Sequence, residues 1–473
     1  MVSPDSLLQL SPEACRLLSA FGLGNAVKRS YVVVELEHRD VPAGSVVLLT
    51  GNSGSGKSSM IESLKSWFPR ESMVCNQPLL EDVPLIDSFD ADRRETIRRL
   101  ALVGLGDAFT WARTPRELSD GQRARFTLLC TMLQPGDLIV VDEFLATLDR
   151  LTAKAVCWAV SKCLRRMGIG AIFVTSHQDL ADHLQPDVMI EKAWDPKPMV
   201  VGVGWDSPDP PILEDMTYRR GDRLDWLKLK PLHYAAGDPA TYHSVHVLEH
   251  PEIAHPAAVA VLSYPDLHSG GRNLATEDAY KIAGSSARAQ RLNREVLRMS
   301  RLVVAPEFRC IGVARKLVLS FLPSLTIRYL ECSTSMGRYS GFLEKLGFRH
   351  VPQSSSPAEG AMLDWADREH VPDQAALSPD LLRGWIGTLS VRKRREAHRI
   401  IWGYYHHFVL HRRSRGKVPK RVPGQGDPRW NEAASVVARR IHDRPSYYIL
   451  GPLDGIDGID AAPHYGPSEV GPE

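Results

Sequence analysis

The chain has 473 residues, of which 43% are hydrophobic and 24% are charged, values that are ordinary for globular proteins. A chain of this length exceeds what one hydrophobic core usually organises, so two or three domains are expected. The sequence has no run of about 18 apolar residues, which argues against a membrane span. The N-terminus contains Asp5 and Glu13 and does not resemble a signal peptide, so we expect a cytoplasmic protein.

The formal net charge is only +2, but the charge is unevenly distributed. Residues 391–421 contain eleven Lys or Arg residues and a single acid, Glu396, so the remaining chain is net acidic. The seven cysteines are scattered, with no close pair at metal-ligand spacing, and we expect them to be reduced.

The order of predicted elements divides the chain into five segments. Residues 1–203 alternate β-rich apolar runs with helical stretches, which is typical of a parallel sheet in an α/β domain. Segment 204–215 is rich in Pro and Asp and is predicted to be a linker. Residues 216–366 mix strands and helices, and 367–450 are predicted to be mainly helical. The tail 451–473 is rich in Gly, Pro and acidic residues and is predicted to be disordered.

The first motif is a phosphate-binding loop that follows the apolar strand "SVVLLT" and opens a helix. Its spacing fits G-x-x-x-x-G-K-[ST]. The glycines let backbone N–H groups wrap phosphates, Lys57 supplies a mobile positive charge, and Ser58 can ligate Mg²⁺. The predicted ATP-binding residues are Gly51, Asn52, Ser53, Gly54, Ser55, Gly56, Lys57, Ser58 and Ser59.

A second motif, "DLIVVDE", is an apolar strand that ends in two acids. Asp142 at the carboxyl end of this strand can hold Mg²⁺ together with Ser58. Glu143 beside it can orient or deprotonate the attacking water, which makes it the candidate catalytic base.

Between and after these motifs, "ELSDGQRAR", "FLATLD" and "FVTSHQ" resemble the ABC ATPase family. The resemblance assigns Asp149 to the D-loop, His177 to the switch histidine, and Gln77 to the glutamine that senses Mg²⁺ and water. It assigns the family's signature to Leu118, Ser119, Asp120, Gly121 and Gln122.

The same resemblance implies two copies in a working unit, because the signature of one ABC ATPase completes the P-loop site of another. We therefore expect a homodimer through the ABC domains, with ATP and Mg²⁺ as cofactors. The short stretch between Lys57 and Ser119 favours an SMC-like or DNA-repair ABC ATPase over a transporter subunit. A separate membrane partner is not expected, although one sequence leaves it open.

The stretch "VVAPEFRCIGVARKL" resembles the core of the GNAT acyltransferases, as does the later "FLEKLGF". A strand, a turn fitting [QR]-x-x-G-x-[GA] and a helix would together bind the pyrophosphate of acetyl-CoA or another acyl-CoA. The predicted acyl-CoA-binding residues are Val303, Val304, Arg309, Cys310, Ile311, Gly312, Val313 and Ala314.

One position departs from the GNAT pattern. The resemblance implies a Tyr before "EKLGF" as general acid, and this chain has Leu343 there. Tyr339, one helical turn earlier, is the candidate in its place. Arg298 and Ser300 lie on the strand where an acid or base is expected, but neither is a carboxylate. A strand–Gly–helix turn also has purely structural uses.

The basic segment 391–421 interleaves cations with Trp402, Tyr404, Tyr405 and Phe408. Cations that pair with phosphates and rings that stack on bases favour nucleic-acid binding. A solvated helix face with its aromatics packed inward is the alternative. The predicted nucleic-acid residues are Arg392, Lys393, Arg394, Arg395, Arg412, Arg413 and Arg415.

The sequence therefore predicts an α/β P-loop ABC-type domain, then a GNAT-type α+β domain, then a basic, mainly helical C-terminal region. This architecture resembles a family of ABC ATPase–acetyltransferase fusions. We expect an ATPase coupled to acyl-CoA-dependent N-acylation of a base in DNA or RNA. The alternatives are a protein or small-molecule N-acetyltransferase with a regulatory ATPase, and a nucleic-acid-binding ATPase whose GNAT fold only senses acyl-CoA.

Overall fold

The structure is a computed structural model. It describes residues 11–20, 44–58, 60–61, 73–74, 80–193, 199–202, 209–233, 237–353, 355–407, 428–441 and 445–453. Five predicted site residues lie outside these ranges, as does the predicted tail after residue 453: Ser59, Gln77, Arg412, Arg413 and Arg415.

The chain forms two compact units, and each is built from segments that are separate in sequence. The first comprises Met1–Thr217, Glu249–Ala257 and Val304–Val313. The second comprises Tyr218–Leu248, Ala258–Val303 and Ala314–Glu473. The described part of the predicted linker, 209–215, belongs to the first unit, where Ile212 is buried.

Within the described residues, the first unit contains a six-stranded sheet in the order β2-β3-β4-β1-β5-β6. Only the edge strand β6 is antiparallel to its neighbour. The strands are β1 (Val46–Thr50), β2 (Met73–Val74), β3 (Leu138–Val141), β4 (Gly170–Val174), β5 (Val188–Glu191) and β6 (Met199–Gly202). The helices are α1 (Pro12–Ala20), α2 (Arg93–Leu102), α3 (Ala108–Trp111), α4 (Asp120–Met132), α5 (Arg150–Met167) and α6 (Ala181–Leu184).

Both faces of this sheet are covered, which explains the continuous apolar runs in its strands. Val46 and Leu48 pack into a core with the helices, whereas Val47 and Leu49 pack into a second core on the opposite face. Successive side chains of a strand point to opposite faces, so the entire strand β1 is buried. The rigid strands fix the residues that follow their carboxyl ends.

The described residues of the second unit contain a seven-stranded sheet in the order β12-β13-β11-β10-β9-β8-β7. The strands are β7 (Thr217–Gly221), β8 (Ser244–Glu249), β9 (Ala258–Ser263), β10 (Val296–Val304), β11 (Tyr329–Thr334), β12 (Arg349–Val351) and β13 (Ser446–Leu450). The helices near the sheet are α7 (Arg223–Leu229), α8 (Gly270–Ala275), α9 (Ser285–Glu295), α10 (Val313–Phe321) and α11 (Phe342–Lys345).

The parallel strands β10 and β11 diverge. Their ladder joins Val296, Leu297 and Arg298 to Tyr329, Leu330 and Glu331, and ends there. Beyond it the two strands border a cavity lined by Met299–Leu302 and Cys332–Thr334. The ladder between the two parallel strands is therefore confined to three residue pairs.

A helical region lies between β12 and β13, with its own hydrophobic core. It consists of α12 (Pro357–Arg368), α13 (Pro379–Thr388), α14 (Val391–Tyr405) and α15 (Pro428–Ile441). The sequence places this region after the sheet domain, with a boundary at 366, and that boundary differs from the structure. Strand β13 pairs with both β11 and β12, so the helical region is an insertion within the sheet domain.

No helix in the described part of the chain combines the length and apolar character needed to cross a bilayer.

Candidate functional sites

The predicted ATP site gathers at the carboxyl edge of the first sheet. The P-loop follows β1, Asp142 and Glu143 follow β3, and His177 follows β4. Because the three strands are parallel and adjacent in the order β3-β4-β1, the structure brings their carboxyl ends to one edge. This edge is where parallel α/β sheets bind ligands.

Gly51 occupies a position in the P-loop that has no room for a side chain. Its φ is +142°, and a Cβ atom placed there would lie 2.0 Å from the carbonyl oxygen of Lys192. Lys192 is itself fixed, because its N–H donates to the carbonyl of Thr50 at 2.8 Å. Only glycine fits this position, since both the dihedral and the space exclude a side chain.

The Lys57 ammonium lies at the start of the loop, where it donates to the carbonyls of Gly51 (2.7 Å) and Asn52 (2.9 Å). Desolvation lowers the pKa of Lys57 from its usual value, and the charge of Asp142 acts in the opposite direction. The side chain is thus held over the loop next to a carboxylate.

Ser58 and Asp142 fit a Mg²⁺ site. The Ser58 hydroxyl donates to Asp142 Oδ2 at 3.2 Å. Two neighbouring ligands of an octahedral Mg²⁺, each about 2.1 Å from the ion, lie about 3 Å apart. The hydroxyl and the carboxylate have the hard oxygen atoms that this ion prefers, so both could hold it.

Glu143 is exposed and sits in a left-handed backbone conformation, with a φ of 53°. The next residue anchors the turn: Phe144 donates its N–H to the Val174 carbonyl at 2.7 Å, and its ring stacks on Phe173 at 4.0 Å. An unusual φ at a glutamate is strained and persists only where surrounding contacts hold it, as at functional sites. His177 is half-buried, and its N–H donates to the Thr175 hydroxyl at 3.3 Å.

The predicted signature forms the N-terminus of α4. Ser119 caps this helix in a reciprocal pair with Gln122: the Gln122 N–H donates to the Ser119 hydroxyl and the Ser119 N–H donates to the Gln122 side chain. Leu118 is buried and anchors the segment, whereas Asp120 is exposed. A helix N-terminus presents unpaired N–H groups and favours an anion.

The predicted D-loop residue Asp149 is the N-cap of α5 and accepts the Thr152 N–H at 2.9 Å. Its cap starts the 18-residue helix that forms one wall of the core.

Comparison with known proteins decides the family of this unit. Over 173 residues the chain is 30% identical to the aliphatic sulfonates import ATP-binding protein of Mycobacterium avium (strain 104), covering 68% of that protein and 32% of this chain. The chain belongs to the ABC ATPase family. It is also 29% identical over 227 residues to a second aliphatic sulfonates import ATP-binding protein, from Paracoccus denitrificans, covering 89% of that protein and 44% of this chain.

Among solved structures, a dimeric ATP-binding cassette in a post-hydrolysis state with ADP and Pi is similar, at 19% identity and a TM-score of 0.27. It is covered over 88% of its length, against 36% of this chain. No protein-family model matches the chain. The sequence relatives confirm the prediction of an ABC ATPase for about a third of the sequence.

The second predicted site, the phosphate turn 309–314, starts within the ABC ATPase's own unit. Cys310 and Gly312 both have left-handed backbone, with φ of 69° and 92°, and both are exposed. Among the described residues, the N–H groups of Cys310, Ile311 and Gly312 have no backbone acceptor. Helix α10 begins immediately afterwards, at Val313. These N–H groups therefore resemble the donors of an anion-binding turn.

Two cavities in the second unit meet at strand β11. The first, about 400 Å³, occupies the split beside β10 and includes Leu343 and Ser340 in its lining. The second, about 490 Å³, is lined by strand residues and by Glu359, Tyr404 and Arg440 from the inserted helices. Cys332, Ser333 and Pro445 line both. The two cavities thus share part of strand β11.

The lining of the larger cavity includes two residues of a buried network, Glu331 and Tyr447, that sequence analysis did not identify. Arg272 donates to both oxygens of Glu331 at 2.9 Å, and the Tyr447 hydroxyl donates to the same carboxylate at 2.7 Å. All three side chains are buried. Burial, with the Glu331 charge next in effect, raises the pKa of Tyr447 above its usual value.

The structure does not bring Tyr339 to the cavity in the split. Tyr339 is 36% exposed and absent from the cavity lining, whereas Leu343 is buried there. The prediction assumed that both residues share one helix, but α11 begins only at Phe342 and Tyr339 lies in the turn before it. The role of general acid predicted for Tyr339 is therefore not supported by its position.

The aromatic residues of the basic segment pack inward. Trp402, Tyr404 and Tyr405 are at most 3% exposed and belong to the core of the inserted helices. The prediction that these rings stack on bases is wrong for all three, because helix α14 directs them into that core. Phe408 lies outside the described residues.

Of the four described cations that were predicted to bind nucleic acid, two are engaged locally. Lys393 pairs with Glu369 at 2.8 Å, and Arg394 donates to the carbonyls of Gly387 and Leu389 at the end of α13. Arg392 and Arg395 are exposed and have no protein partner within the described residues. These two remain available to bind phosphates.

Proposed function

We propose that the chain is an ATP-hydrolysing ABC ATPase whose second unit is a GNAT-type, acyl-CoA-dependent N-acyltransferase. The observation that carries the second half of the proposal is the meeting of two cavities at Cys332 and Ser333, inside the split between parallel strands. The cofactors are ATP, Mg²⁺ and acetyl-CoA or another acyl-CoA, and the working state is a homodimer through the ABC units, in the cytoplasm.

The ATPase reaction uses the edge of the first sheet. The P-loop N–H groups and Lys57 bind the phosphates, and Ser58 and Asp142 hold Mg²⁺, which neutralises charge on the phosphates when bound. Glu143 orients the attacking water and accepts its proton. The signature of a second copy completes the site, since Ser119 and Gln122 present a helix N-terminus to a phosphate.

The acyl transfer uses the split in the second sheet. The turn at Arg309–Val313 holds the pyrophosphate of acyl-CoA. The acceptor amine enters the larger cavity, its nitrogen attacks the thioester carbonyl, the C–N bond forms and the C–S bond breaks. The amine proton is lost to a group of that cavity, for which His350 and Glu359 qualify, and the thiolate is protonated. The Ser333 and Ser340 hydroxyls line the smaller cavity and replace Tyr339 as candidate donors.

Gly312→Glu is expected to reduce acyl-CoA-dependent thiol release by at least about 100-fold, roughly 2.7 kcal/mol. The new side chain is strained at a φ of 92° and places a negative charge against the pyrophosphate. Gly284→Glu is the matched control, because Gly284 has a similar φ of 86°, open space around it and a position at the start of α9. An equal loss of thiol release in both variants would show that the effect comes from general misfolding.

The acceptor we propose is a base in DNA or RNA. The exposed Arg392 and Arg395, one helical turn apart on α14, support phosphate binding by the inserted helices. Mass spectrometry of nucleosides from cells expressing the wild type or Gly312→Glu tests the acceptor. No new acylated nucleoside in any nucleic acid would exclude this class.

Removing Arg392 and Arg395 together by alanine is expected to weaken nucleic-acid binding and to lower the log–log salt slope by about 1.8, since each phosphate contact contributes about 0.9. Filter binding across a salt series measures the slope. The control removes two exposed cations of the first unit, Arg113 and Arg166, and should leave the slope unchanged. An equal change in both double variants would show a nonspecific charge effect.

A small polar amine is a second candidate acceptor, and the larger cavity favours it. Glu359 and Arg440 line that cavity with opposite charges and have no ion-pair partner within the described residues. Such a pair suits a ligand that has both an amine and an anionic group. Acetyl transfer that is indifferent to nuclease and to salt would select this candidate.

A further inference from the structure

The predicted pyrophosphate turn is held by an ion pair that belongs wholly to the ABC ATPase unit. Arg309 Nη1 lies 3.2 Å from Asp107 Oδ2, and the two side chains are only 14% and 23% exposed. Arg309 also donates from Nε to the Val304 carbonyl at 3.3 Å. A carboxylate beside the turn competes with a pyrophosphate for this guanidinium and repels it.

Asp107 is fixed in turn by the helix that it caps. Its Oδ1 accepts the Thr110 N–H at 3.0 Å, and its Oδ2 accepts the Thr110 hydroxyl. Asp107 therefore moves only together with α3 and with the segment 103–107 that leads into it. Whatever displaces this segment also changes the position of Asp107 relative to Arg309.

That segment is bound to the signature helix through Arg125. The Arg125 guanidinium, 8% exposed, donates to the carbonyls of Val103 (3.3 Å) and Gly104 (3.0 Å) and to Gly121 within α4 (3.2 Å). A Cβ atom at Gly104 would come within 2.8 Å of Arg125 Nη1, so the contact is close. Gly121 is itself a signature residue, one position after Asp120.

The D-loop reaches the same cluster. Burial lowers the pKa of Arg125, and the nearby charges that act on it are those of Asp149, Arg309 and Asp107. Helix α5, which Asp149 caps, packs against the turn at Pro306–Phe308. Helix α5 thus contacts the short helical turn that leads into the predicted acyl-CoA turn, and Arg125 of the signature helix lies within electrostatic range of Arg309.

We propose that ATP binding at the signature strengthens acyl-CoA binding at the turn, through release of Arg309 from Asp107. ATP held against Ser119–Gln122 shifts α4, Arg125 carries the shift to residues 103–104, and Asp107 withdraws from the turn. Asp107 is thus a positioning residue that keeps the affinity of the turn for acyl-CoA low until ATP binds. This inference rests on the proposed acyl-CoA site.

The test is a binding linkage on the full chain, with CoA itself as the probe. Glu143→Gln is used so that ATP and Mg²⁺ remain bound, and the CoA dissociation constant is measured by calorimetry with and without ATP. We expect ATP to tighten CoA binding at least about 5-fold, within the usual range of allosteric coupling, and saturating CoA to tighten ATP binding by the same factor.

Asp107→Asn supplies the decisive comparison. Asparagine still caps α3 but has no charge to hold Arg309. We expect this variant to bind CoA tightly without ATP and to show no further gain when ATP is added. The matched control is Asp92→Asn, which alters the capping aspartate of the neighbouring helix α2 and should preserve the coupling.

The outcomes separate this inference from the proposed function. If Gly312→Glu abolishes CoA binding but ATP leaves CoA affinity unchanged, the coupling is overturned and the acyl-CoA site is retained. Unchanged coupling in Asp107→Asn would overturn the role of Asp107. No CoA binding in any nucleotide state would overturn the proposed acyl-CoA site and, with it, the coupling.

Discussion

Glu143→Gln is expected to lower the rate of ATP hydrolysis by about 10²- to 10⁴-fold, the usual contribution of a general base. Glutamine keeps the shape of the side chain and its ability to orient water, but it cannot accept a proton. ATP binding should persist, because Lys57, Ser58 and Asp142 are unchanged. The variant should therefore accumulate an ATP-bound dimer, visible by size-exclusion chromatography in the presence of ATP and Mg²⁺.

The matched control for this prediction is Glu214→Gln, which neutralises an exposed glutamate of the same unit that follows no sheet strand. It should hydrolyse ATP at the wild-type rate and remain monomeric after turnover. A wild-type rate in Glu143→Gln would show that another group activates the water, and His177 at the end of β4 would be the next residue to test.

The ATP site could be predicted from the sequence because its motifs are local. Gly51, Ser119 and Asp149 each sit at a strand end or helix cap, and the residue types that such positions require are visible in a short stretch. The structure adds the pairing of Ser58 with Asp142, which brings together residues 84 positions apart.

The second unit was harder to predict because its defining contacts are distant in sequence. Strand β13 pairs with β11, with Ile449 opposite Glu331, and the Tyr447 hydroxyl donates to Glu331 across 116 positions. The short run "SYYIL" gives no sign of its partner strand. The predicted role of Tyr339 is not supported for a different reason, since helix α11 begins later than the motif implies. The Asp107–Arg309 ion pair joins the predicted acyl-CoA turn to a residue about 200 positions earlier, in a segment that has no recognisable motif.

The inward packing of Trp402, Tyr404 and Tyr405 shows that composition alone does not distinguish a base-stacking surface from a buried helix face. Aromatics interleaved with cations predict both a stacking surface and an amphipathic helix. The structure separates them by position along the helix: Trp402, Tyr404 and Tyr405 are buried near the carboxyl end of α14, whereas Arg392 and Arg395 are exposed near its amino end.

Gly51→Ala is expected to weaken ATP binding by at least about 100-fold, because the loop cannot keep its shape. A φ of +142° is a region that costs a residue with a side chain about 1 to 3 kcal/mol. The added Cβ would also lie 2.0 Å from the Lys192 carbonyl oxygen, so the loop or the end of β5 must move. Either movement displaces the carbonyls that hold Lys57, and calorimetry with ATP and Mg²⁺ measures the loss.

Gly202→Ala separates this effect from the general cost of adding a methyl group to the sheet. Gly202 has an ordinary φ, and no atom lies within 4 Å of the Cβ that alanine would add. Its affinity for ATP should equal that of the wild type. Circular dichroism of both variants should show intact secondary structure, since the clash at Gly51 is confined to one loop. Equal ATP affinity in Gly51→Ala and Gly202→Ala would mean that the loop adapts, and that its N–H groups bind phosphate without the turn that glycine allows.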